Sequence, residues 1–536
     1  MHHDQAFRKV RLKSKDNSYG FYTHGELAYI LGMLPGVSAK KTPFLADVTG
    51  GFNLLYVYTD IVEHQLVGEF SVPLLRCVPI RGANNEFVTI TYDNPHYVPI
   101  SQHYIDKISI EIKTDQNKHV SFHFAPTQTC IEKSLYVEIP RLSAITKSSP
   151  LDVFIPGNGK DYMDLNNTLL YLCCKIVKGN GTDLDAGAAV GLVNFPLASV
   201  FSQLDVILGD GLISQNNNCY PYRAFIESVL NYSNDTLATQ FSASLFYKDT
   251  QGHHEMVAQD GDNQGFRRWA NLTDRSKKIE LLGHLHSDLF FQEKQLLNGM
   301  DVKIKLTRSK DAFCLMGTTA AGPCKLKITS ASLSMKKVKV APGIQLGHME
   351  ALLMANAKYP IDRMGMKVFS IPAGSCVSNQ ENLFLGQLLK LIVIWFVDND
   401  AFSRNYAKNP FNFKHYNINF VGLYVDGEKT PTKPLQPDFK NGKCATKYMQ
   451  LVQAAGKHTK DRALVINHEE FALGYTLFAF DLSPDQECAD HYSLIKTGNL
   501  KAEIGFAAAL PTTVNKIVYG VFDNVIEINQ RRNVLF

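Results

Sequence analysis

The sequence predicts an all-β protein built of two similar tandem domains, sandwiches or jelly rolls, with few short helices. Three observations point there. Aromatic residues are plentiful, with 32 Phe and 23 Tyr against 2 Trp, and aromatic and β-branched side chains fit pleated, half-buried surfaces. Apolar segments break repeatedly at turns bearing Gly and Asp. A set of landmarks also recurs in one order in two halves of the chain.

The chain has 536 residues, which suggests about three domains at ~100–200 residues each. Hydrophobic residues make up 45% and charged residues 20%, enough to fill full-sized cores and unlike a disordered chain. The 55 basic and 51 acidic residues leave a net charge of +4, too balanced to argue for nucleic-acid binding on charge alone. A local basic run, Arg8, Lys9, Arg11, Lys13 and Lys15, reads as a solvated terminus. The ten cysteines include no Cys-x-x-Cys spacing, and Cys173 and Cys174 are adjacent; they read as reduced, small core residues. The N-terminus lacks the basic-then-apolar pattern of a signal peptide. The most apolar run, Leu391–Val397, is far short of the ~20 residues of a membrane helix and fits a strand buried on both faces. These features predict a soluble protein of a reducing compartment, with no membrane partner.

Residues 108–113 alternate around Ile108, Ile110 and Ile112, predicting a half-buried strand. Leu204–Leu208 runs into Gly209-Asp210-Gly211, and Ile418–Val425 into Asp426-Gly427. Both predict hairpins, because Gly and Asp tolerate the positive φ of tight turns. The stretch Lys248–Lys278, with His253, His254, Asp260, Gly261, Asp262 and Asn263, is predicted to be a long polar loop. Helices are predicted near 222–232 and 447–455. These parts form two series. In each, a strand ends at an Asp-Gly turn, a helix follows, a glycine opens a further strand, and a last strand closes. Gly427 follows Gly211 by 216 residues, Gly498 follows Gly299 by 199, and Ile517 follows Leu326 by 191. One order at nearly one offset predicts equivalent eight-stranded rolls over about 150–343 and 357–536, joined by a short helix ending near Asn356.

Catalytic motifs are missing. Gly179-Asn180-Gly181 has Leu184 where a dinucleotide-binding loop needs its third glycine, and Gly456-Lys457 is followed by His458, so neither cradles phosphates. No Gly-x-Ser-x-Gly elbow occurs, and nothing around the cysteines suggests a Cys–His nucleophile pair. One constellation has metal-ligand character: His284, His286 and Asp288. On a strand, the period of two would put all three on one face, as in jelly-roll enzymes of the cupin type. The alternative is a strand facing water or a subunit contact, and no second histidine module with cupin spacing follows. The expectation is therefore no catalytic residue, no cofactor and no metal, these three being the candidates if a metal binds. A lectin-like sugar site has no distinguishing signal. The sequons at Asn166, Asn180, Asn231, Asn234 and Asn271 carry little weight without a secretory signal.

A series of blocks from about Ala125 onward is more specific. Pro126-Thr127-Gln128-Thr129, Asp164-Leu165-Asn166-Asn167-Thr168, Tyr220-Pro221-Tyr222-Arg223-Ala224, His286-Ser287-Asp288-Leu289-Phe290-Phe291-Gln292 and Arg308-Ser309-Lys310-Asp311-Ala312-Phe313 fall in the first half. Glu381 to Gln387, Asp398 to Phe402, Asn409-Pro410-Phe411-Asn412-Phe413, Lys433 to Phe439 and Arg532 to Phe536 fall in the second. In number and order these resemble the double jelly-roll major capsid protein of Polinton/Maverick elements and adintoviruses. The resemblance implies a non-enzymatic structural protein, two jelly rolls per chain, and homotrimeric capsomers that tile an icosahedral shell. The partners implied are the chain itself, neighbouring capsomers and a penton-like minor capsid protein, without sequence-specific nucleic acid. The location implied is the virion capsid, intracellular before assembly. The apolar residues at Leu389, Leu391 and Trp395 depart from the family's pattern. Asn53 to Tyr58, Val67-Gly68, Pro73 to Arg76, Pro95 to Pro99 and 108–112 instead resemble the C-terminal part of the penton-like minor capsid protein. The expected domains are thus 1–124 as a partial penton-like β-sandwich, 125–356 as the first roll with lead-in and connector, and 357–536 as the second. The rival readings are a cupin-like metalloenzyme and a domesticated host binding protein that kept the fold and lost assembly.

Overall fold

The computed structural model of the protein describes residues 2–4, 9–11, 54–67, 70–79, 98–100, 109–114, 130–142, 150–214, 217–318, 322–403, 405–458, 463–484, 486 and 495–535. Arg8, Lys13, Lys15, Asn53, Gly68, 95–97, Ile108 and 126–129, all singled out above, lie outside the described residues. The chain divides into two compact units, 1–127 and 128–536. In the first, Leu54–Thr59 pairs on one side with Leu74–Pro79 and on the other with Ile110–Thr114, forming a three-stranded antiparallel sheet. Ile110 is 62% exposed, so the predicted inward face of this strand is not buried at that position.

The second unit holds both rolls. The first consists of β1 (Ile131–Pro140), β2 (Leu151–Ile155), β3 (Asp161–Lys178), β4 (Phe201–Leu208), β5 (Gly211–Ser214), β6 (Ile279–His284), β7 (Val302–Arg308) and β8 (Cys324–Val340). They pair as two antiparallel sheets, β6-β3-β8-β1 and β5-β4-β7-β2. The second roll consists of β9 (Ala357–Ile371), β10 (Val377–Gln380), β11 (Leu391–Asp398), β12 (Ile418–Val425), β13 (Glu428–Lys429), β14 (Phe478–Asp481), β15 (Leu500–Phe506) and β16 (Val514–Ile528). Its sheets are β14-β11-β16-β9 and β13-β12-β15-β10. Adding eight to each strand of the first roll reproduces the second, so two tandem jelly rolls are present. The opening strand β1 lies in the stretch expected as lead-in. It is an edge strand, exposed over most of its length, so it lacks the alternation that marks a buried strand.

The two predicted hairpin turns occupy equivalent places, though the first turns on Gly209-Asp210 and not on Asp210-Gly211. Leu208 pairs with Gly211 across Gly209-Asp210, and Val425 with Glu428 across Asp426-Gly427. Asp426 and Gly427 both have positive φ, the conformation a two-residue hairpin turn needs. Two helices follow these turns, α1 (Tyr220–Asn231) in the first roll and, after α2 (Gln264–Thr273) and α3 (Pro342–Met354), α4 (Ala445–Ala454) in the second. Helix α3 is the predicted connector. No helix of the described residues is long and apolar enough to cross a membrane.

Strand β11 explains its own unbroken apolar run. Ile392, Ile394 and Phe396 belong to the interior of the second roll, while Val393, Trp395 and Val397 belong to a larger apolar cluster that also contains the interior of the first. Both faces of the strand are therefore covered, and the alternation of a half-wet sheet disappears.

Candidate functional site

The seam between the rolls is the part of the molecule with the most unusual chemistry. Helix α1 lies in it, buried from Tyr220 to Leu230, and a helix covered on all sides must satisfy any charge it carries from within the protein. Its charges are Arg223 and Glu227, one turn apart. Arg223 Nε donates to Glu227 Oε1 at 2.8 Å, and its Nη1 to Ser214 Oγ at 3.2 Å. Its Nη2 donates to Asp288. Glu227 Oε2 lies 2.8 Å from His286 Nδ1. The Met364 amide, from β9 of the second roll, also donates to Asp288. Burial raises the Asp288 pKa against the pull of Arg223. For Glu227 burial also raises, but Arg223 and His286 outweigh it and hold the carboxyl below its ordinary value.

This arrangement places the three candidate metal-ligand residues apart. Strand β6 ends at His284, so the period of two does not continue to Asp288. His284 is exposed, while His286 is buried with Nδ1 at hydrogen-bond distance from Glu227 and Asp288 is buried in an ion pair with Arg223. Among the described residues no group of three or more His, Cys, Asp or Glu side chains could hold a metal ion. The structure does bring together a pair the sequence did not suggest. Cys444 Sγ is 3.4 Å from His468 Nε2. Burial raises the Cys444 thiol above its ordinary value, which opposes the thiolate a nucleophile needs.

Around α1 an aromatic cluster joins the rolls. Phe225 stacks on Phe411 with centroids 4.6 Å apart, Tyr222 on Phe402 at 5.8 Å, and Trp395 lies 5.7 Å from Phe413. The stretch Lys248–Lys278 contributes to the same seam, which corrects its reading as a long polar loop. It contains α2, whose Phe266 and Trp269 are buried, and Trp269 Nε1 donates to the Leu245 carbonyl at 2.9 Å. Asp249 accepts from Asn263 Nδ2 at 2.8 Å and from Asn409 Nδ2, in the second roll, at 3.0 Å. Tyr475 Oη donates to the Asp249 carbonyl at 2.8 Å, and Lys248 pairs with Glu470. Other polar residues of the stretch tie it to the second roll, among them Lys248, Asp249 and Glu255.

Asp249 and His254 make the seam pH-sensitive in opposite senses. Burial pushes Asp249 up to about 7, against the Asn263 and Asn409 donors. Burial, reinforced by Lys248 and Lys414, pushes His254 down to about 3. His254 binds a proton below its ordinary 6.5 only when unfolded, so its contribution is present above that pH and lost toward about 3. Asp249 holds its proton in the fold, so its contribution is present below 3.8 and lost as pH rises toward about 7. The slopes offset one another between these limits. Asp249→Asn should expose the histidine slope, with a melting temperature that falls from about pH 6.5 to 4 relative to wild type, and His254→Gln the reverse slope. Thermal unfolding across that range checks this; unchanged profiles in both variants would contradict it.

Two surfaces face outward. On α3 the apolar residues Leu346 (62%), Met349 (54%), Leu353 (64%) and Met354 (89%) are exposed, and Leu352 is buried. On the edge strand β1, Leu135 and Tyr136 are exposed.

No protein-family model matches the chain. It is 24% identical over 425 residues to an uncharacterised protein of Caenorhabditis elegans, covering 76% of this chain and 98% of that one. Among solved structures it is similar to a chain of the Sputnik virophage, with a TM-score of 0.55 at 12% identity, covering 86% of this chain and 94% of that one. It also matches the mavirus major capsid protein (TM-score 0.46, 11% identity, 84% of this chain and 96% of that one) and the PBCV-1 virus capsid (TM-score 0.46, 10% identity, 75% and 96%). Two of these three structures are viral capsid proteins. At 12% identity the Sputnik likeness shows a shared fold.

Proposed function

We propose that the chain is a structural major capsid protein of a Polinton/adintovirus-like element, without enzymatic activity. Three copies form a pseudo-hexagonal capsomer, and capsomers tile an icosahedral shell. The observation that carries this reading is the pair of rolls with one strand order held through a common apolar seam. A fused pair is a rigid double wedge, and three such wedges give six near-equivalent edges from one gene product. Residues 1–124 derive, on this reading, from the penton-like minor capsid protein, which is also the partner at five-fold positions. The cupin-like alternative is weakened because His286 and Asp288 are committed to Glu227 and Arg223. The nematode relative, 98% covered by the match, supports a gene carried in animal genomes, either in an element or retained by the host.

The proposal requires trimers of the full chain at micromolar concentration, read as molar mass by light scattering. Shell subunits bury large surfaces, and permanent interfaces usually exceed ~2,000 Å². The exposed apolar face of α3 is material for one. Leu346→Asp with Leu353→Asp is expected to weaken trimers at least about tenfold while leaving the melting temperature of the monomer nearly unchanged, since both side chains are exposed. A wild-type chain that remains monomeric would refute the working capsomer and favour a domesticated copy.

A further inference from the structure

The two rolls share one strand order, but different things cover the end where their hairpin turns sit. At that end the Gly209 amide donates to the Asp301 carbonyl at 2.8 Å in the first roll, and the Asp426 amide to the Asn499 carbonyl at 2.9 Å in the second. In the first roll the chain's own C-terminus closes this end. After β16 the backbone turns back, the Arg532 amide donating to the Asn529 carbonyl at 3.0 Å and the Asn533 amide to Asn529 Oδ1 at 2.9 Å. Strand β17 (Val534–Leu535) then pairs with the end of β16. From this hairpin Arg532 Nε donates to the Asn298 carbonyl at 2.8 Å, and its Nη2 to Asn298 Oδ1 at 2.6 Å. Val534 packs against the shared apolar cluster, beside Gly211 of the turn.

In the second roll the same end holds a cavity of about 480 Å³. Its charged lining is Asp426, Glu428, Asp481 and Asp523 against Lys390 and Lys496. Lys390 is committed, 2.6 Å from Asp362 and 2.9 Å from Asp523. Asp426 and Glu428 stand at the turn where the first roll has Gly209 and Gly211, and both are exposed. The excess of carboxylates favours a cation at this end. Lys496, three residues before Asn499 as Asn298 is before Asp301, repels a cation from the place Arg532 takes in the first roll, which leaves the turn carboxylates to receive it. The C-terminal hairpin carries such a cation. Arg531 is exposed beside Arg532, on a turn held by its own hydrogen bonds, so a copy can present it without releasing its own first roll.

We propose that the turn end of the second roll receives the C-terminal hairpin of a second copy of this chain, with Arg531 of that copy meeting Asp426 and Glu428. The inference rests on the capsomer reading above. It repeats between copies the kind of contact that closes the first roll within one. A hairpin tip covers far less than the ~800 Å² per partner of a standard interface. The contact therefore fixes which rolls meet and in what register, while larger surfaces supply the remaining affinity.

A synthetic peptide of residues 529–536, titrated into the full chain, reads this contact whether or not the chain assembles. It is expected to bind wild type, to weaken as salt rises, and to bind the Asp426→Asn, Glu428→Gln double variant about tenfold less tightly. Asparagine keeps an acceptor for the Asn499 amide that Asp426 Oδ1 now meets at 2.7 Å, so the turn survives. A peptide carrying Arg531→Glu should fail on wild type and bind a Glu428→Arg chain, a recovery that only a direct pair gives. In the full chain Arg531→Glu should lower the association constant of the trimer about tenfold by light scattering, and Glu428→Arg should restore it. No binding of the unmodified peptide to wild type would overturn the proposal. So would undiminished binding to the double variant, which would place the peptide on the first roll in exchange for the resident hairpin. A monomeric wild type that binds the peptide through Asp426 and Glu428 would overturn the capsomer and leave the hairpin site standing. A trimer indifferent to Arg531→Glu would overturn the hairpin site and leave the capsomer.

Discussion

Arg223→Met is expected to cost about 3–5 kcal/mol of stability, among the largest effects available to a single substitution in this chain. The methionine fills much of the arginine's volume, so the loss is electrostatic. It leaves Glu227 and Asp288, both almost fully buried, without the guanidinium that lies between them. Each carboxylate must then stay charged without that partner or take up a proton, and either choice destabilises the fold. The triple variant Arg223→Met, Glu227→Gln, Asp288→Asn should recover a good part of the loss, because amides are far cheaper to bury than unpaired carboxylates. Urea unfolding midpoints of the three chains provide the measurement. A single-variant cost below about 1 kcal/mol would mean the network is hydrated and contributes little.

Removing residues 249–275 and closing the gap is expected to abolish folding of both rolls. The deletion takes away Phe266 and Trp269, each worth about 3–5 kcal/mol if truncated to alanine. It also takes away Asp249, whose carboxylate accepts from Asn409 of the second roll, and the backbone carbonyl that accepts from Tyr475. Together these losses approach the whole stability of a typical domain, ~5–15 kcal/mol. Loss of the near-ultraviolet circular dichroism signal and aggregation on expression would be the readout. A shortened chain that melts within about 5 °C of wild type would show that this stretch is the dispensable surface loop its composition suggests.

That reversal marks where the sequence was legible and where it was not. The recurring landmarks worked because they depend on local chemistry. A tight turn favours residues that accept positive φ whatever surrounds them, so Gly209-Asp210-Gly211 and Asp426-Gly427 announced equivalent hairpins; in the first the turn residues are Gly209 and Asp210, and of these Gly209 has the positive φ. The run Leu391–Val397 announced a doubly covered strand for a similar reason, since its neighbours are irrelevant to its polarity. The seam gave no such signal. Arg223 and Glu227, one turn apart, have the spacing of an ordinary solvated helix pair, and only the covering by the second roll makes them costly. His254 and Asp249 look like loop residues for the same reason. His284, His286 and Asp288 suggested one face because a strand was assumed throughout, and the strand stops at His284. The edge strand β1 was missed because its exposed side chains carry no pattern to read.

The common seam also has a consequence for synthesis. The first roll is complete in sequence at Val340, yet its apolar cluster is continued by residues of the second, among them Val393, Trp395, Tyr519 and Ile526. The last of the strands concerned, β16, ends at Ile528, 188 residues after Val340. At ~5–20 residues per second a ribosome needs roughly 10–40 s to make that stretch. For that interval the first half is a sandwich whose apolar flank toward the second roll is still uncovered. Capture of that exposed flank by chaperones during the interval is expected to raise the yield of intact protein.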